Sequence, residues 1–248
     1  MEANRKPVMI VTGASRGLGA AIARLAGRRG YAVCVNYAHD AARAEEVVRA
    51  IRVDGGEAIA VGADVADERA VASLFERVDA ELGALRALVN NAGISGPHAR
   101  VDALTMDNVR RLFDVNVFGT LLCSREAIRR MSQRHGGSGG AIVNVSSAAS
   151  RLGGAGRNVH YAASKGAVNS MTVGMAREVG AEGVRVNVVS PGVIDTESQP
   201  PGRVAEIGPT LPMARAGQPD EVAHAVLWLA SDEASYVNGT MLDVSGAR

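Results

Sequence analysis

One stretch decides the fold of this chain: Val8-Met9-Ile10-Val11-Thr12-Gly13-Ala14-Ser15-Arg16-Gly17-Leu18-Gly19. Its apolar start predicts a short buried strand, and its glycines predict a tight turn into a helix. The first turn of such a helix offers free N–H groups and the positive end of the helix dipole, which attract phosphate. The spacing is Gly-x-x-x-Gly-x-Gly, not the commoner Gly-x-Gly-x-x-Gly. The stretch predicts a nucleotide-binding turn, although a glycine-rich turn can also be purely structural.

Short β-branched runs and longer helical patterns alternate along the rest of the chain. Strands are predicted at Val8–Val11, Ala32–Asn36, Ala58–Val61, Ala87–Val89, Ala141–Val145, Val184–Val189 and Thr240–Val244. Helices are predicted near 17–29, 41–54, 67–82, 107–134, 160–181 and 219–231. The strands are almost continuously apolar, which suits strands covered on both faces. The alternation predicts an α/β fold, a single Rossmann-type doubly wound parallel sheet of about seven strands with helices on both faces.

Composition narrows the class of protein. The 248 residues are 47% hydrophobic, enough for one large core, so we expect a single domain over 1–248. The net charge of +1 gives no strong field for nucleic acid or an anionic membrane. The two cysteines lie in apolar runs and the five histidines are scattered, which predicts no disulfide framework and no metal site. No run approaches the ~20 apolar residues of a membrane span, so a cytoplasmic protein is expected.

The end of the second predicted strand bears on the choice of nucleotide. A NAD site places an acidic residue there, roughly 20 residues after the glycine turn, to hold the ribose 2′-hydroxyl. This chain has Val35-Asn36-Tyr37-Ala38-His39, and Arg16 in the glycine turn could pair with a 2′-phosphate. Asp40 weakens the argument, and Arg16 and Asn36 could be a solvated loop residue and a turn former. We expect NADP(H) to be preferred, with NAD(H) as the alternative.

Tyr161 and Lys165 stand four residues apart in a predicted helix, so they share one face. A free tyrosine has a pKa of about 10 and exchanges protons poorly at neutral pH. A cation beside it stabilises the phenolate and lowers that pKa, which suits proton exchange with an alcohol or carbonyl oxygen. Such a pair is usually an accident of a solvated helix face, so its meaning depends on the rest of the chain.

Polar clusters follow three further predicted strands, at the sheet edge where open α/β sheets bind ligands. They are Asn90-Asn91-Ala92-Gly93, Asn144-Val145-Ser146-Ser147 and Ser190-Pro191-Gly192-Val193-Ile194-Asp195-Thr196. Together with the glycine turn and the Tyr161/Lys165 pair, they resemble the classical short-chain dehydrogenase/reductase family. The pattern is similar to 3-oxoacyl-carrier-protein reductases and glucose dehydrogenases, and it extends from Val8 to about Gly246.

The resemblance implies a role for each matching residue. The catalytic set would be Asn116, Ser147, Tyr161 and Lys165. The cofactor would contact Gly13, Ser15, Arg16, Gly17, Leu18, Gly19, Asn36, Asp64, Val65, Asn91, Ala92, Gly93, Tyr161, Lys165, Ile194 and Thr196. In the family, Asp64 and Val65 match a pair beside the adenine, and Thr196 matches a threonine near the nicotinamide carboxamide. The alternatives are a turn or cap residue for Asp64, and for Asn116 a helix-interior asparagine whose side chain bonds to backbone.

Two serines, Ser146 and Ser147, compete for the role of the catalytic serine. The family serine commonly lies thirteen residues before the tyrosine, where this chain has Ala148. The strand-end pattern aligns Ser147 rather than Ser146 with it. This choice requires one extra residue in the glycine-rich loop 151–159, a tolerable insertion in such a loop.

These roles imply an NADP(H)-dependent oxidoreductase that interconverts a ketone and a secondary alcohol by hydride transfer. Tyr161 would be the general acid/base, Ser147 would bind the carbonyl oxygen, and Lys165 would lower the tyrosine pKa. A 3-oxoacyl thioester or a sugar is the candidate substrate, under a variable lid near 197–213 that shows little periodicity. His98, Arg151 and His160 could line the site or be plain surface. A non-catalytic NADP-binding regulator is the alternative, which the complete catalytic set disfavours.

The predicted helices 107–134 and 160–181 bear on assembly. Their apolar residues wrap around more than the single stripe that one core would need. In the family such helices pair between subunits, so we expect a homotetramer or a homodimer. The alternative is deep burial within one subunit.

Overall fold

In the computed structural model, residues 6–197 and 199–248 are described, and seven strands within them form one sheet. The strands are β1 (Val8–Val11), β2 (Ala32–Tyr37), β3 (Glu57–Gly62), β4 (Leu85–Asn90), β5 (Gly140–Val145), β6 (Val184–Pro191) and β7 (Met241–Val244). Their order is β3-β2-β1-β4-β5-β6-β7, and every neighbouring pair is parallel. This confirms the predicted doubly wound sheet, whose strand order reverses between β1 and β4.

Helices cover both faces of the sheet. They are α1 (Gly17–Arg28), α2 (Ala41–Val53), α3 (Glu68–Glu81), α4 (Met106–Phe113), α5 (Gly119–Met131), α6 (Ala149–Leu152), α7 (Val159–Val179), α8 (Arg203–Ile207) and α9 (Pro219–Ala230). Alternate strand residues supply two cores: Met9 and Val11 pack with α1, α2 and α9, whereas Val8 and Ile10 pack with α3, α5 and α7. All four side chains are 0% exposed. Each such buried side chain stabilises the fold by about 1.5–3 kcal/mol.

The predicted helix 107–134 is wrong in one respect, because the chain does not form one continuous α-helix there. α4 ends at Phe113, a π-helical turn runs over Asp114–Phe118, and α5 then ends at Met131. The widened turn contains Asn116, whose side chain is fully buried and bonds to the main chain of Ile94. Such turns occur frequently at functional sites.

The segment 197–213, expected to lack periodicity, contains the short helix α8. Gly202 precedes that helix with a φ of 76°, a left-handed conformation that glycine adopts without strain. Arg203, the first residue of α8, pairs with Glu206 at 3.3 Å. The described part of the segment predicted to be a lid therefore includes a short helix rather than only an extended loop.

Both cysteines, Cys34 and Cys123, are buried in the sheet and in α5, and burial raises the pKa of each thiol. A thiol held protonated in this way is a poor nucleophile and a poor metal ligand. In residues 6–197 and 199–248, no group of His, Cys, Asp and Glu side chains is arranged to hold a metal ion. No helix in those ranges has the length and apolarity to cross a lipid bilayer.

Candidate active site

The glycine turn after β1 is built around backbone conformations and contacts that exclude side chains. Gly13 and Gly17 have φ values of 60° and 54°, in the left-handed region. A Cβ on Gly19 would lie 2.5 Å from the Asn91 amide nitrogen. That amide donates to the carbonyl oxygens of Thr12 and Gly13, at 2.9 and 3.0 Å. The turn after β1 is thus locked to the end of β4.

A cavity of about 540 Å³ opens at this edge of the sheet, between the ends of β1, β2, β3 and β4. Its lining includes most of the expected cofactor residues: Gly13, Ser15, Arg16, Gly17, Leu18, Gly19, Asn36, Asp64, Val65, Asn91, Ala92, Gly93 and Thr196. Three expected residues, Tyr161, Lys165 and Ile194, are not among those that line it, and the Ile194 side chain is 7% exposed and packs in the core beneath α9. The exposed Arg16 side chain stands at the cavity edge, and in residues 6–197 and 199–248 it makes no ion pair with a carboxylate.

Asn36 lines the cavity but is committed to the protein itself. It is 1% exposed, and its amide donates to the carbonyl oxygens of Val61 and Ala63 at 3.2 and 3.0 Å. Its side-chain oxygen accepts from the Gly13 N–H at 3.3 Å. The Asn36 side chain was expected to contact the cofactor directly, but these hydrogen bonds join it to the protein. They hold the glycine turn against the end of β3, so Asn36 shapes the cavity wall.

Asp64 serves both as a turn residue and as part of the cavity wall. Its carboxylate accepts from the Ala66 N–H at 3.0 Å and from the Arg111 guanidinium at 2.7 Å. Burial works to raise the pKa of Asp64, but these two hydrogen bonds outweigh it and hold the pKa below its ordinary value. The carboxylate is therefore ionised and fixed in place at neutral pH.

Sequence reasoning misses several residues of the cavity wall, among them His39, Arg111 and Glu197. Arg111 belongs to α4, and it reaches the cavity only because that helix packs across the end of β3. Glu197 pairs with Arg43 in the first turn of α2, which ties α2 to the segment that follows β6. Neither contact has a local signature, since each partner is distant along the chain.

Tyr161 and Lys165 lie one turn apart near the start of α7, as their spacing predicts. Lys165 is 4% exposed, and its ammonium donates to the Val145 carbonyl at the end of β5, at 2.8 Å. The same ammonium lies 5.9 Å from the centre of the Tyr161 ring. Burial lowers the pKa of Lys165 to about 8.

The expected lowering of the Tyr161 pKa by Lys165 is not what the structure shows. Burial raises the pKa of Tyr161, and a hydrogen bond with the Ser147 side chain opposes that rise. The Lys165 ammonium stands over the ring and uses one N–H on the Val145 carbonyl, so it is not directed at the phenol oxygen. Tyr161 is thus held as a neutral phenol, the form that donates a proton.

The two competing serines have different partners. The Ser146 hydroxyl is 3% exposed and donates to the Lys165 carbonyl at 3.1 Å. The Ser147 side chain accepts from the Ala149 N–H at 3.1 Å and hydrogen-bonds to Tyr161. Of the two hydroxyls, Ser147 is the one placed beside the phenol.

The loop between Ser147 and Tyr161 contains three glycines in the left-handed conformation. After α6, Gly153, Gly154 and Gly156 have φ values of 75°, 63° and 71°. These left-handed positions let the chain turn back toward α7 within a few residues. They accommodate the longer spacing that the choice of Ser147 requires.

Exchanging the two serines for alanine separates their roles. We expect Ser147→Ala to lower kcat about 10²-fold, because a hydrogen bond to the reacting oxygen is lost. Ser146→Ala is expected to retain turnover within about threefold and to lose about 1 kcal/mol of stability, since it removes only a backbone contact. Steady-state rates and urea unfolding of both variants check this. A dead Ser146→Ala beside a fully active Ser147→Ala would reverse the assignment.

Asn116 and Lys165 meet at Gly93. A Cβ on Gly93 would lie 3.2 Å from the Asn116 side-chain oxygen and 3.4 Å from the Lys165 nitrogen. Asn116 also donates to Ser164 on α7, at 3.1 Å, and exchanges hydrogen bonds with the main chain of Ile94 at 2.8 and 2.9 Å. The π-helical turn, the end of β4 and α7 are therefore joined through one buried amide.

Arg151, one of the polar residues that could line the site, is directed away from Tyr161. It pairs with Asp243 at 3.1 Å and donates to the Arg248 carbonyl at 3.1 Å. Nε2 of His160 lies 3.2 Å from the position of a Cβ on Gly96, two residues before His98. His98 is exposed and accepts a hydrogen bond from Arg157, whereas His160 is 5% exposed.

A family model described as enoyl-(acyl carrier protein) reductase matches residues 13–246, which include both the glycine turn and the Tyr161/Lys165 pair. The chain belongs to the short-chain dehydrogenase/reductase family. Its members are oxidoreductases, so the chain is an enzyme of that class, and the resemblance inferred from the motifs is confirmed.

Curated relatives of this short-chain dehydrogenase/reductase match over nearly the whole chain. It is 48% identical to the uncharacterised oxidoreductase YgfF of Escherichia coli (strain K12), covering 97% of this chain and 99% of the relative. It is 42% identical to cis-4-hydroxycyclohexanecarboxylate dehydrogenase of Sinomonas cyclohexanicum, covering 99% and 97%.

A solved structure extends the comparison to the fold. A short-chain dehydrogenase from Burkholderia cenocepacia J2315, crystallised in complex with NADP, superposes with a TM-score of 0.90. It is 36% identical in sequence, and the match covers 98% of this chain and 96% of that one.

Proposed function

We propose that this enzyme interconverts a ketone and a secondary alcohol with NADP(H), using Tyr161 as the general acid/base. The observation that carries the proposal is the position of the Ser147 side chain beside the Tyr161 phenol, with the buried Lys165 ammonium beside the ring. Two O–H groups that converge in this way suit a single substrate oxygen that changes between carbonyl and alcohol. They suit a carbonyl better than a carbon–carbon double bond, which offers no such oxygen.

The glycine turn fits a dinucleotide cofactor. Gly13 and Gly17 have left-handed φ values, and the backbone N–H groups at the start of α1 face the cavity beside them. Asp40, the residue that weakened the case for NADP, caps α2 by accepting from the Arg43 N–H at 3.1 Å. It also lies 3.4 Å from the Arg43 guanidinium, so its charge is partly balanced. Arg16 has no such partner in residues 6–197 and 199–248, which favours an anionic 2′-phosphate beside it.

Replacing Arg16 tests the choice of nucleotide. We expect Arg16→Ala to weaken NADPH binding about tenfold and to leave NADH binding unchanged, because only NADPH carries the 2′-phosphate. Arg49→Ala, the same change at an exposed position of α2, is the control. Fluorescence titration of each protein with both nucleotides measures the effect. Tighter binding of NADH than of NADPH by the unmodified enzyme would contradict the preference.

In the proposed reduction, the Ser147 hydroxyl donates a hydrogen bond to the carbonyl oxygen, and Tyr161 delivers a proton to the same oxygen. The bound cofactor supplies the hydride. The positive charge of Lys165 stabilises the phenolate that Tyr161 becomes as the proton leaves. Asn116 holds the Ile94 segment and the start of α7 in place around this pair. In the oxidation direction the same proton moves back to Tyr161.

A substrate panel tests the proposed reaction. With NADPH, we expect ketones to be reduced and a matched α,β-unsaturated thioester to be unchanged. The panel should include a 3-oxoacyl thioester, a sugar oxidised with NADP, and cyclic ketones, since one relative is named for a hydroxycyclohexanecarboxylate. Reduction of the unsaturated thioester without reduction of any ketone would contradict the proposed ketone reduction and indicate an enoyl reductase.

We propose that the enzyme is a homotetramer or homodimer. Phe118 and Leu121, on the outer side of the π-helical turn and α5, are 53% and 41% exposed in one subunit. Burying large apolar side chains of this kind between subunits would stabilise an assembly by about 25 cal/mol per Å². Light scattering at micromolar concentration should give a mass of two or four chains. A monomer would contradict the proposal.

A further inference from the structure

Three loops that leave the same edge of the sheet each carry a basic side chain outside the four-residue catalytic set. His98 follows β4, Arg157 follows β5 two residues before α7, and Arg203 follows β6 as the first residue of α8. The first two loops are joined directly, because the Ala99 N–H donates to the Arg157 carbonyl at 2.8 Å. Arg157 also lies in the segment whose extra residue distinguishes this chain from the common family spacing.

The hydrogen bond between His98 and Arg157 fixes the charge state of the histidine. The Arg157 Nε–H donates to His98 Nδ1 at 3.3 Å. A guanidinium only donates, so Nδ1 carries no proton, and His98 is neutral with its N–H at Nε2. Partial desolvation and then the nearby positive charges of Arg157 and Arg203 lower the pKa of His98, which keeps it in that form.

The cluster holds more positive than negative charge. In the part of the chain that the structure describes, neither Arg157 nor His98 forms an ion pair with a carboxylate. Arg203 forms an ion pair with Glu206 at 3.3 Å, and the Glu206 side chain is 70% exposed. Two guanidinium groups, one carboxylate and a neutral imidazole leave a net charge of +1, which suits a monoanion such as a carboxylate.

His160 provides a second, independent observation beside this cluster, because its buried ring nitrogens lack hydrogen-bond partners among the described residues. It precedes Tyr161, is 5% exposed, and neither ring nitrogen has a hydrogen-bond partner within the described residues. Its Nε2 faces the loop that carries His98, at 3.2 Å from the position of a Cβ on Gly96. A buried imidazole without partners is costly unless a ligand or water binds it.

We propose that Arg157, Arg203 and the Nε2–H of His98 bind a carboxylate on the substrate, at the end remote from the carbonyl that faces Tyr161. The substrate class is then a keto acid and the corresponding hydroxy acid. The inference rests on the proposed ketone–alcohol chemistry at Tyr161 and adds the charge of the substrate to it. A guanidinium pair suits a planar carboxylate because each can donate two N–H groups to its oxygens.

A pair of substrates that differ only in charge tests this. With NADPH, kcat/KM for 4-oxocyclohexanecarboxylate is expected to exceed that for its methyl ester about tenfold, through KM. Arg157→Gln is expected to abolish the preference by lowering kcat/KM for the acid to about that for the ester. Arg100→Gln is the control, because Arg100 is exposed in the same loop region and already paired with Asp102 at 3.1 Å. Equal use of acid and ester by the unmodified enzyme would overturn the inference and leave the ketone chemistry standing.

A binding measurement separates the inference from the chemistry. Cyclohexanecarboxylate has no carbonyl, so it binds without reacting, and cyclohexanecarboxamide is its neutral counterpart. Calorimetry on the enzyme with NADP bound is expected to show the acid binding about tenfold more tightly than the amide, with the difference lost in Arg157→Gln. That result supports the site even if neither ketone is reduced, whereas equal binding of acid and amide refutes it.

Discussion

Tyr161→Phe is expected to lower turnover 10²- to 10⁴-fold while NADPH affinity stays within about twofold, because the substitution removes only the O–H that exchanges the proton. The phenol is half-buried, and its ring lies against the Lys165 ammonium. Phenylalanine keeps that ring and its packing. Initial rates of NADPH oxidation and a fluorescence titration of the same protein measure the two quantities.

Tyr236→Phe is the matched control for this experiment. Tyr236 is fully exposed, so removing its hydroxyl should change neither rate nor affinity. A Tyr161→Phe enzyme with more than a tenth of the original kcat would refute the acid/base role. Loss of cofactor binding in the same variant would instead show that the hydroxyl supports the cavity.

Lys165→Met is expected to lower turnover about 10²-fold and at the same time to stabilise the fold at neutral pH. The charge is needed beside the phenol when the proton leaves, which accounts for the loss in rate. The same charge is 4% exposed and unpaired by any carboxylate in residues 6–197 and 199–248, so burying it opposes folding. Methionine has a similar length and carries no charge, so the variant avoids the free-energy cost of burying an unpaired ammonium.

The stability difference should depend on pH in a defined direction. Lys165 has a pKa of about 8 in the folded enzyme and 10.5 when unfolded. Between these values the unfolded chain binds the extra proton, so the free energy of unfolding rises with pH. From pH 7 to pH 10 the unmodified enzyme should gain roughly 2.5 kcal/mol relative to Lys165→Met. Below pH 8 the cost of burying the charged group is fully present.

Urea unfolding at pH 7 and at pH 10 measures this difference. Lys6→Met is the control, since Lys6 is the only other lysine and is exposed near the first strand. The Lys6 variant should follow the unmodified enzyme at both pH values. Parallel pH profiles for Lys165→Met and the unmodified enzyme would contradict the lowered pKa.

Much of the fold could be predicted from sequence because its signals are local. The apolar run Val8–Val11 and the glycines after it specify a strand, a turn and a helix within 12 residues. The spacing of Tyr161 and Lys165 places them on one turn of α7. Polar residues at strand ends could be placed at one edge of the sheet, since all the strands are parallel.

The remaining features depend on contacts between distant segments. Arg111 reaches Asp64 across 47 residues, and no pattern near either residue indicates the pair. The π-helical turn forms where Asn116 bonds to Ile94, which an apolar helical periodicity does not reveal. The prediction that Lys165 lowers the Tyr161 pKa was wrong. Burial of the phenol and the orientation of the Lys165 ammonium decide that pKa, and both are tertiary properties.

The central claim is that a hydride and a proton meet one carbonyl group at Tyr161. Reduction of a ketone from the substrate panel with NADPH deuterated at nicotinamide C4, followed by mass spectrometry and NMR of the alcohol, tests it most directly. The account predicts one deuterium on the carbinol carbon when the label occupies the cofactor face from which hydride is transferred, and labelling 10²- to 10⁴-fold slower after Tyr161→Phe. Tight NADPH binding with no label transferred to any ketone on that panel would contradict it and would favour a non-catalytic nucleotide-binding role.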